Sequence, residues 1–191
     1  MARNIEIKAR VDNMAGLIAR VAAIADQGPI EIAQDDTFFR CESGRLKLRS
    51  FADGSGELIF YRRANLQGPK ESFYERVRTS APDALRDCLT LAYGQAGRVR
   101  KQRLLYLVGR TRVHLDTVDQ LGCFLELEVV MAEEEPADSG VREAQDLMIS
   151  LGVAPEHLIN DAYVDLLAKL STISAQHTAL PASFIDNLNR Q

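Results

Sequence analysis

The chain reads GCFLELE from Gly122 to Glu128, a run in which apolar and acidic side chains alternate. A period of two residues is typical of a β-strand, with Leu125 and Leu127 on one face and Glu126 and Glu128 on the other. On such a strand the two carboxylates lie roughly 7 Å apart and repel each other. Because Mg²⁺ and Mn²⁺ prefer oxygen ligands, the pair indicates a divalent metal site unless water screens both charges.

The same alternation recurs in other predicted strands, where the ionic face also carries basic side chains. Its members are Glu6 and Lys8; Lys47 and Arg49; Lys101 and Arg103; and Arg112, His114 and Asp116. An ionic face can simply be the solvated outer surface of a sheet. Alternatively, the strands close into a barrel with the ionic faces inside and the apolar faces covered by helices. Buried cations and a metal then need a bound polyanion, which points to phosphate chemistry.

The whole pattern predicts an α+β protein with about eight antiparallel strands joined by short turns. The predicted strands cover residues 4–11, 33–41, 45–51, 57–64, 72–79, 98–108, 110–118 and 123–131. Amphipathic helices are predicted at residues 13–27, 81–95, 139–151 and 163–170, each with part of the sheet to cover. We expect a single domain over residues 1–175, followed by a C-terminal tail or short helix at residues 176–191.

Composition and charge argue against several classes of protein. The 191 residues are 46% hydrophobic and 26% charged, which is typical of a globular domain. A net charge of −4 argues against a general attraction to nucleic acid. Three cysteines without a C-x-x-C pair argue against a disulfide framework or a zinc knuckle, so we expect reduced thiols in packed positions. Without a recognisable secretory signal or membrane-spanning stretch, we expect a cytoplasmic protein with no membrane partner.

Several motifs occur in an order that resembles the CYTH superfamily, which includes class IV adenylyl cyclases, thiamine triphosphatases and inorganic triphosphatases. They include IEIK at Ile5–Lys8, GRLKLR at Gly44–Arg49, RVHLD at Arg112–Asp116 and GCFLELE at Gly122–Glu128. The similarity spans residues 3–170. The resemblance implies an eight-stranded antiparallel β-barrel, a triphosphate tunnel, with flanking helices and with Mg²⁺ or Mn²⁺ as the cofactor.

The resemblance also implies roles for the residues of the ionic faces. Glu6, Glu126 and Glu128 become metal ligands, with Asp116 as a fourth candidate. Lys8 joins the three glutamates as a catalytic residue. The implied phosphate contacts are Lys8, Lys47, Arg49, Lys101, Arg103 and Arg112. Arg62 and Arg63 are also candidate substrate contacts, but they are adjacent on one predicted strand, so only one of them should point inward.

Asn4 stands where the family signature has its first glutamate. An asparagine can coordinate a metal through its carbonyl oxygen but brings no charge, which puts the second metal position in question. We expect the substitution Asn4→Glu to raise metal-dependent turnover if the missing carboxylate matters, and unchanged turnover would discard that idea.

Three functions are compatible with these residues. We favour a class IV adenylyl cyclase, which converts ATP to cyclic AMP and pyrophosphate. The same parts could serve an inorganic or thiamine triphosphatase, in which water attacks the terminal phosphate. A third alternative is a non-catalytic protein that binds polyphosphate or nucleotides. The expected partner is therefore ATP, tripolyphosphate or thiamine triphosphate, and the sequence leaves a homodimer open.

Three further features have two interpretations each. His114 either transfers protons or is simply hydrogen-bonded to a neighbour. Tyr163 either packs against the barrel as a cap or contacts substrate. Phe38 and Phe39 either flank a nucleobase or pack in the core.

Overall fold

The computed structural model describes residues 2–63 and 68–178. Its strands are β1 (Ala2–Arg10), β2 (Gln27–Phe39), β3 (Arg45–Ser50), β4 (Gly56–Arg63), β5 (Lys70–Thr79), β6 (Gln95–Val108), β7 (Thr111–Val118) and β8 (Gly122–Val130). Its helices are α1 (Met14–Ile24), α2 (Pro82–Tyr93), α3 (Ala137–Ser150) and α4 (Tyr163–Thr178), with a short 3₁₀ turn at Pro155–His157. Most of the predicted tail at 176–191 lies outside the described residues.

The eight strands form a closed antiparallel ring in the order β1-β5-β4-β3-β2-β6-β7-β8. β1 closes the ring because it pairs with β5 on one edge and with β8 on the other. The fold class predicted from the sequence is therefore confirmed. The closed ring leaves no open sheet edge and encloses an interior space.

The ionic faces of the strands point into this interior, and their apolar faces point outward. Ile5, Ile7, Val113, Leu125 and Leu127 are each at most 1% exposed and belong to a core between the ring and the helices. The helix residues of that core include Leu17 and Val21 of α1 and Ala144 and Met148 of α3. The main hydrophobic core therefore lies outside the ring, which leaves the interior to polar groups.

The other two helices cover less sheet than predicted. In α2 only Pro82 is buried, and the helix contacts β2 and β3. α4 begins with Tyr163 and Val164, which join Phe38, Val99 and Phe124 in a second apolar cluster. α4 therefore closes one end of the ring, whereas α1 and α3 cover its wall.

Two long strands, β2 and β6, begin earlier than predicted. β2 begins at Gln27 because α1 ends at Ile24 and Ala25 is already extended. In the sequence, Gly28 and Pro29 mark the end of the predicted helix. In the structure they form an irregularity within the β2–β6 ladder between Gln27 and Ile30. Strand boundaries at such residues depend on the partner strand and cannot be identified from one segment alone.

None of the described cysteines forms a disulfide, but Cys88 is exposed, so the expectation of a packed position was wrong for that thiol. Along the described helices, no segment combines the length and the hydropathy required to cross a membrane.

Candidate active site

A cavity of about 300 Å³ lies inside the ring, and every strand contributes to its lining. Among the described residues, seven basic side chains and five carboxylates line it. The basic residues are Lys8, Lys47, Arg49, Arg76, Lys101, Arg103 and Arg112. This enclosed surface has the charge needed for a polyanion, because cations outnumber acids even before any metal is bound.

Asp36 of β2 holds two of these cations in place. Its carboxylate accepts hydrogen bonds from Lys47 Nζ at 2.9 Å and from Arg49 Nε and Nη2 at 2.7 and 2.8 Å. Burial would raise the pKa of the Asp36 carboxyl, but the charges of Arg49 and Lys47 outweigh burial and hold the pKa far below its ordinary value. Asp36 is therefore ionised and positions both cations of β3.

Asp116 of β7 does the same for β6. Its oxygens accept from Lys101 Nζ at 3.1 Å, from Arg103 Nε and Nη2 at 2.6 Å each, and from the hydroxyl of Tyr163 at 3.0 Å. Burial again acts to raise the pKa of Asp116, and the charges of Arg103 and Lys101 lower it well below its usual range. Two Lys-x-Arg pairs, on strands that both neighbour β2, are thus each held by a buried aspartate.

The two lysines of these pairs have shifted ionisation. Burial, followed by the charge of Arg49, lowers the pKa of Lys47 to about 8. Burial and the charge of Arg103 also lower the pKa of Lys101. Both lysines therefore give up a proton more readily than a solvent-exposed lysine does.

The acidic side of the cavity is built from β1, β7 and β8. Glu126 forms an ion pair with Lys8 at 2.7 Å and also accepts from Arg103. Glu128 accepts from Arg112 Nε at 2.9 Å. Burial raises the pKa values of these two glutamates, and the surrounding cations more than reverse that effect, so that both carboxyls titrate below their ordinary range.

This side of the cavity fits a divalent metal. Glu126, Glu128 and His114 each offer a ligand atom, and the three atoms lie within 4.8 Å of one another. Glu6 lines the same cavity and lies directly opposite Glu128 in the β1–β8 register. Carboxylates brought together in this way are the chemistry that Mg²⁺ and Mn²⁺ select. Burial and the charge of Arg103 lower the pKa of His114, which favours a neutral imidazole.

Asn4 is 2% exposed and contacts the same group of residues. With its amide oriented so that both ends have partners, Asn4 donates to the carbonyl of Arg3 at 2.8 Å and accepts from Arg112 Nη2 at 2.9 Å. Asn4 therefore binds the arginine that also holds Glu128.

Tyr163 closes one end of the cavity. Its ring packs on Phe124 with centroids 4.9 Å apart, and Lys8 Nζ lies 3.8 Å from the ring centroid. Burial and the nearby charges of Glu126 and Asp116 raise the pKa of Tyr163 well above its ordinary value, so the phenol keeps its proton. The hydroxyl is then a stable donor to Asp116, which is consistent with a capping role.

The opposite end of the cavity is more accessible. Phe38 and Val99, near Tyr163, are 7% and 2% exposed, whereas Ile32, Phe51 and Leu105 are only half-buried. Phe38 lines the cavity and belongs to the apolar cluster, while Phe39 is buried outside the lining. The more accessible end of the cavity therefore carries these three apolar side chains, and the closed end is aromatic and basic.

The residues that the sequence singled out come together in most cases. The cavity lining contains Glu6, Lys8, Lys47, Arg49, Lys101, Arg103, Arg112, Glu126 and Glu128. Asp116 lies behind this lining, fully buried, because its oxygens face Lys101, Arg103 and Tyr163. Asp116 therefore holds those cations in position and does not join the carboxylates of Glu126 and Glu128, which face the candidate metal site.

The two arginines of β4 have different outcomes. Arg62 points outward: it is exposed, donates to the carbonyl of Ser43 at 2.8 Å and lies over the ring of Phe60. The expectation that it could contact substrate is corrected on this ground. The side chain of Arg63 lies outside the described residues.

Sequence reasoning assigned no role to several lining residues, of which Asp36 is the most informative. Asp36 lies on a strand that the sequence predicts, but only the register shows that it faces Arg49. Glu57 and Arg76 form an ion pair at 3.5 Å across β4 and β5. Lys70 is 4% exposed and lines a small pocket with Glu6 and Glu128. Such residues look like ordinary strand charges until their partners are known.

The chain resembles known proteins over most of its length. A family model described as the CYTH domain matches residues 2–163. The adenylate cyclase CyaB of Aeromonas hydrophila is 24% identical over 181 residues, which cover 90% of this chain and 92% of that protein.

Two solved structures show the same fold. The PH1012 protein of Pyrococcus horikoshii has a TM-score of 0.76 and 22% identity, over 85% of this chain and 98% of that one. The Hippeastrum protein HpAC1, described as an adenylyl cyclase candidate with a dominant triphosphatase activity, has a TM-score of 0.59 and 14% identity, over 85% of this chain and 91% of that one. At these identities the two structures bear on the fold alone.

Proposed function

Because the chain belongs to the CYTH domain family, we propose that it is a metal-dependent enzyme that binds the triphosphate of ATP inside its strand ring and converts ATP to cyclic AMP and pyrophosphate. One observation carries the proposal: two Lys-x-Arg pairs, each held by a buried aspartate, line the same cavity as the carboxylates of β8. Cations whose positions are fixed before the ligand binds suit phosphate oxygens, and neighbouring carboxylates suit a divalent ion.

The basic side chains bind and orient the triphosphate. Arg49 and Arg103 have guanidinium planes fixed by Asp36 and Asp116, so little side-chain freedom is lost when a phosphate binds. Lys47 and Lys101 add compact charges beside them. Lys8 lies between Glu126 and the Tyr163 ring, close to the metal-facing carboxylates.

Charge stabilisation and alignment account for the reaction. In the cyclase reaction the 3′-hydroxyl oxygen attacks the α-phosphorus, and the bond from the α-phosphorus to the oxygen that bridges to the β-phosphate breaks. Pyrophosphate leaves and takes up the hydroxyl proton. Glu6, Glu126 and Glu128 would hold a divalent ion, which would supply Lewis acidity and neutralise phosphate charge when bound. Arg103, Arg112 and Lys8 contribute positive charge from fixed positions, which costs no reorganisation during the reaction.

The apolar side chains at the more accessible end of the cavity support an organic triphosphate as substrate. Ile32, Phe51 and Leu105 line the accessible end and would remain unused by inorganic tripolyphosphate. A nucleoside packed against these side chains would gain apolar contact while its phosphates extend inward. The name of the Aeromonas relative, an adenylate cyclase, supports the same choice.

A triphosphatase is the second candidate. Water attacking the terminal phosphorus uses the same cations and the same metal, with the substrate bound in a different register. The Hippeastrum protein, which shares this fold, is itself described with a dominant triphosphatase activity.

The test is product analysis. The full chain is incubated with ATP, thiamine triphosphate or tripolyphosphate in Mg²⁺ or Mn²⁺, and products are separated by chromatography. Cyclic AMP with pyrophosphate supports the proposal. Orthophosphate with a diphosphate product would replace it by the triphosphatase, and tight binding without turnover would replace it by a binding protein.

A matched pair of variants ties any activity to the cavity. Glu126→Gln removes a charge from the metal-facing set, and we expect a loss of about a hundredfold or more in kcat/KM. Glu134→Gln changes an exposed residue of the loop between β8 and α3 and should leave kcat/KM within about twofold. Equal activities for the two variants would place the reaction elsewhere.

A further inference from the structure

His114 is a buried side chain whose contacts are incomplete. It lies on β7, lines the cavity and is 4% exposed. Its Nδ1 atom has no hydrogen-bond partner among the residues that the structure describes. A buried imidazole nitrogen without a partner is costly and calls for an explanation.

The unpartnered nitrogen faces the two carboxylates of β8. Nδ1 lies 3.7 Å from Glu128 Oε1 and 3.9 Å from Glu126 Oε2. Both distances are too long for hydrogen bonds. They suit ligands of one ion, because ligand atoms that each lie about 2.1 Å from a metal are separated from one another by roughly 3 to 4 Å.

Two polar side chains near Glu126 and Glu128 already have hydrogen-bond partners of their own. Asn4 is engaged with Arg112 and with the carbonyl of Arg3, and Asp116 is engaged with Lys101, Arg103 and Tyr163. His114 therefore brings a buried ring nitrogen that faces Glu126 and Glu128 without a hydrogen bond to either.

We propose that His114 is a protein ligand of the divalent ion, together with Glu126 and Glu128, and that this mixed nitrogen and oxygen set selects Mn²⁺ over Mg²⁺. The inference rests on the proposed function in so far as the cavity binds a divalent ion. Mg²⁺ strongly prefers oxygen ligands, whereas transition-series ions accept imidazole. A histidine in the set therefore costs Mg²⁺ affinity and favours Mn²⁺.

The direct test is pulsed electron paramagnetic resonance of Mn²⁺ bound to the full chain. We expect the nitrogen coupling of a directly bound imidazole, and we expect it to change from ¹⁴N to ¹⁵N when only histidine is isotopically labelled. Because this measurement needs no substitution, it does not depend on whether a variant folds. A Mn²⁺ complex without histidine coupling would overturn the proposal.

Binding affinities of variants give a second test. His114→Gln should raise the Kd for Mn²⁺ about tenfold or more, while the Kd for Mg²⁺, measured by competition, should change by less than about threefold. His157→Gln, which replaces a partly exposed histidine of the 3₁₀ turn, is the matched control and should change neither value. Equal changes in the two metal affinities on loss of His114 would overturn the predicted selectivity.

The outcomes separate this inference from the proposed function. Metal binding without histidine coupling overturns only the role of His114. If neither ion binds, even with tripolyphosphate present, both this inference and the metal-dependent reaction fail.

Discussion

Asp36 and Asp116 show how single residues can preorganise a polyanion site. Each is at most 2% exposed, and each contacts a lysine and an arginine two residues apart on a neighbouring strand. A buried carboxylate is tolerated only when cations and hydrogen bonds compensate its desolvation. The same contacts fix the cations in the cavity wall, so stability and ligand binding depend on the same pairs.

The first prediction concerns the stability that Asp116 provides. Asp116→Asn leaves the buried Lys101 and Arg103 without their counter-charge, and we expect a loss of about 3 to 5 kcal/mol in the free energy of unfolding. Asp35→Asn is the control, because Asp35 pairs with the more exposed Arg98 and Arg100 and should cost less than about 1 kcal/mol. Denaturant unfolding measures both, and similar losses would contradict the bracing role.

The second prediction uses the lowered pKa of Lys47. With a pKa of about 8, Lys47 is charged at pH 7 and largely neutral at pH 9. A triphosphate binds the charged form better, so affinity should fall as the pH rises through this range, by up to about tenfold per pH unit above 8. Titration calorimetry with a non-hydrolysable ATP analogue measures this dependence.

The phosphate groups of the ligand also titrate, so Lys47→Met is measured beside the native chain. This variant should bind more weakly at pH 7, and its affinity should approach that of the native chain as the pH rises. A constant ratio of the two affinities between pH 7 and 9 would show that Lys47 does not titrate in the binding range.

At the scale of elements, α4 depends on one close approach to the sheet. A Cβ atom at Gly97 of β6 would lie 2.5 Å from Val164 Cγ2, well inside van der Waals contact. Glycine at this strand position is therefore required by packing, since it lets α4 place Tyr163 across the end of the cavity.

The third prediction tests this contact. Gly97→Ala should destabilise the protein by about 1 to 3 kcal/mol because α4 must shift or the strand must bend. Adding Val164→Ala removes the clashing methyl group, so the double variant should be more stable than the sum of the two single changes predicts. Additive losses in denaturant unfolding would mean that the two residues do not oppose each other.

At the scale of the whole molecule, closure of the ring both creates the cavity and gathers charged side chains in it. β1 joins the two ends of the chain of strands, so Glu6 and Lys8 meet Glu128 and Glu126 across the β1–β8 seam. The interior is polar and the main core lies outside, so part of the stability of the ring depends on compensation of its charges.

The fourth prediction follows from this dependence. Tripolyphosphate with Mn²⁺, each at about 100 times its Kd, should stabilise the native state by about 2.7 kcal/mol or more. For a chain of this size that corresponds to a rise in Tm of roughly 5 to 11 °C in thermal unfolding. Orthophosphate at the same concentration should produce a much smaller rise. An equal rise with both anions would argue against a site fitted to a chain of three phosphates.

The order of the motifs and the two-residue period determined the ring and the set of charges that would face one side of it. Alternation is a local property of a strand, so the sequence predicted which side chains share a face at positions such as Glu126 and Glu128. Helix positions followed from apolar spacing in the same way, although two strands began earlier than their local sequence indicated.

Only the tertiary structure decided which charges contact one another. Asp116 was expected on the metal side and braces two cations instead, Asp36 proved to be its counterpart, and Arg62 points outward. The free nitrogen of His114 likewise became evident only when its neighbours could be seen. These contacts depend on strand register and on ring closure, which bring together residues as distant in the chain as Lys8 and Glu126, and no local pattern carries that information.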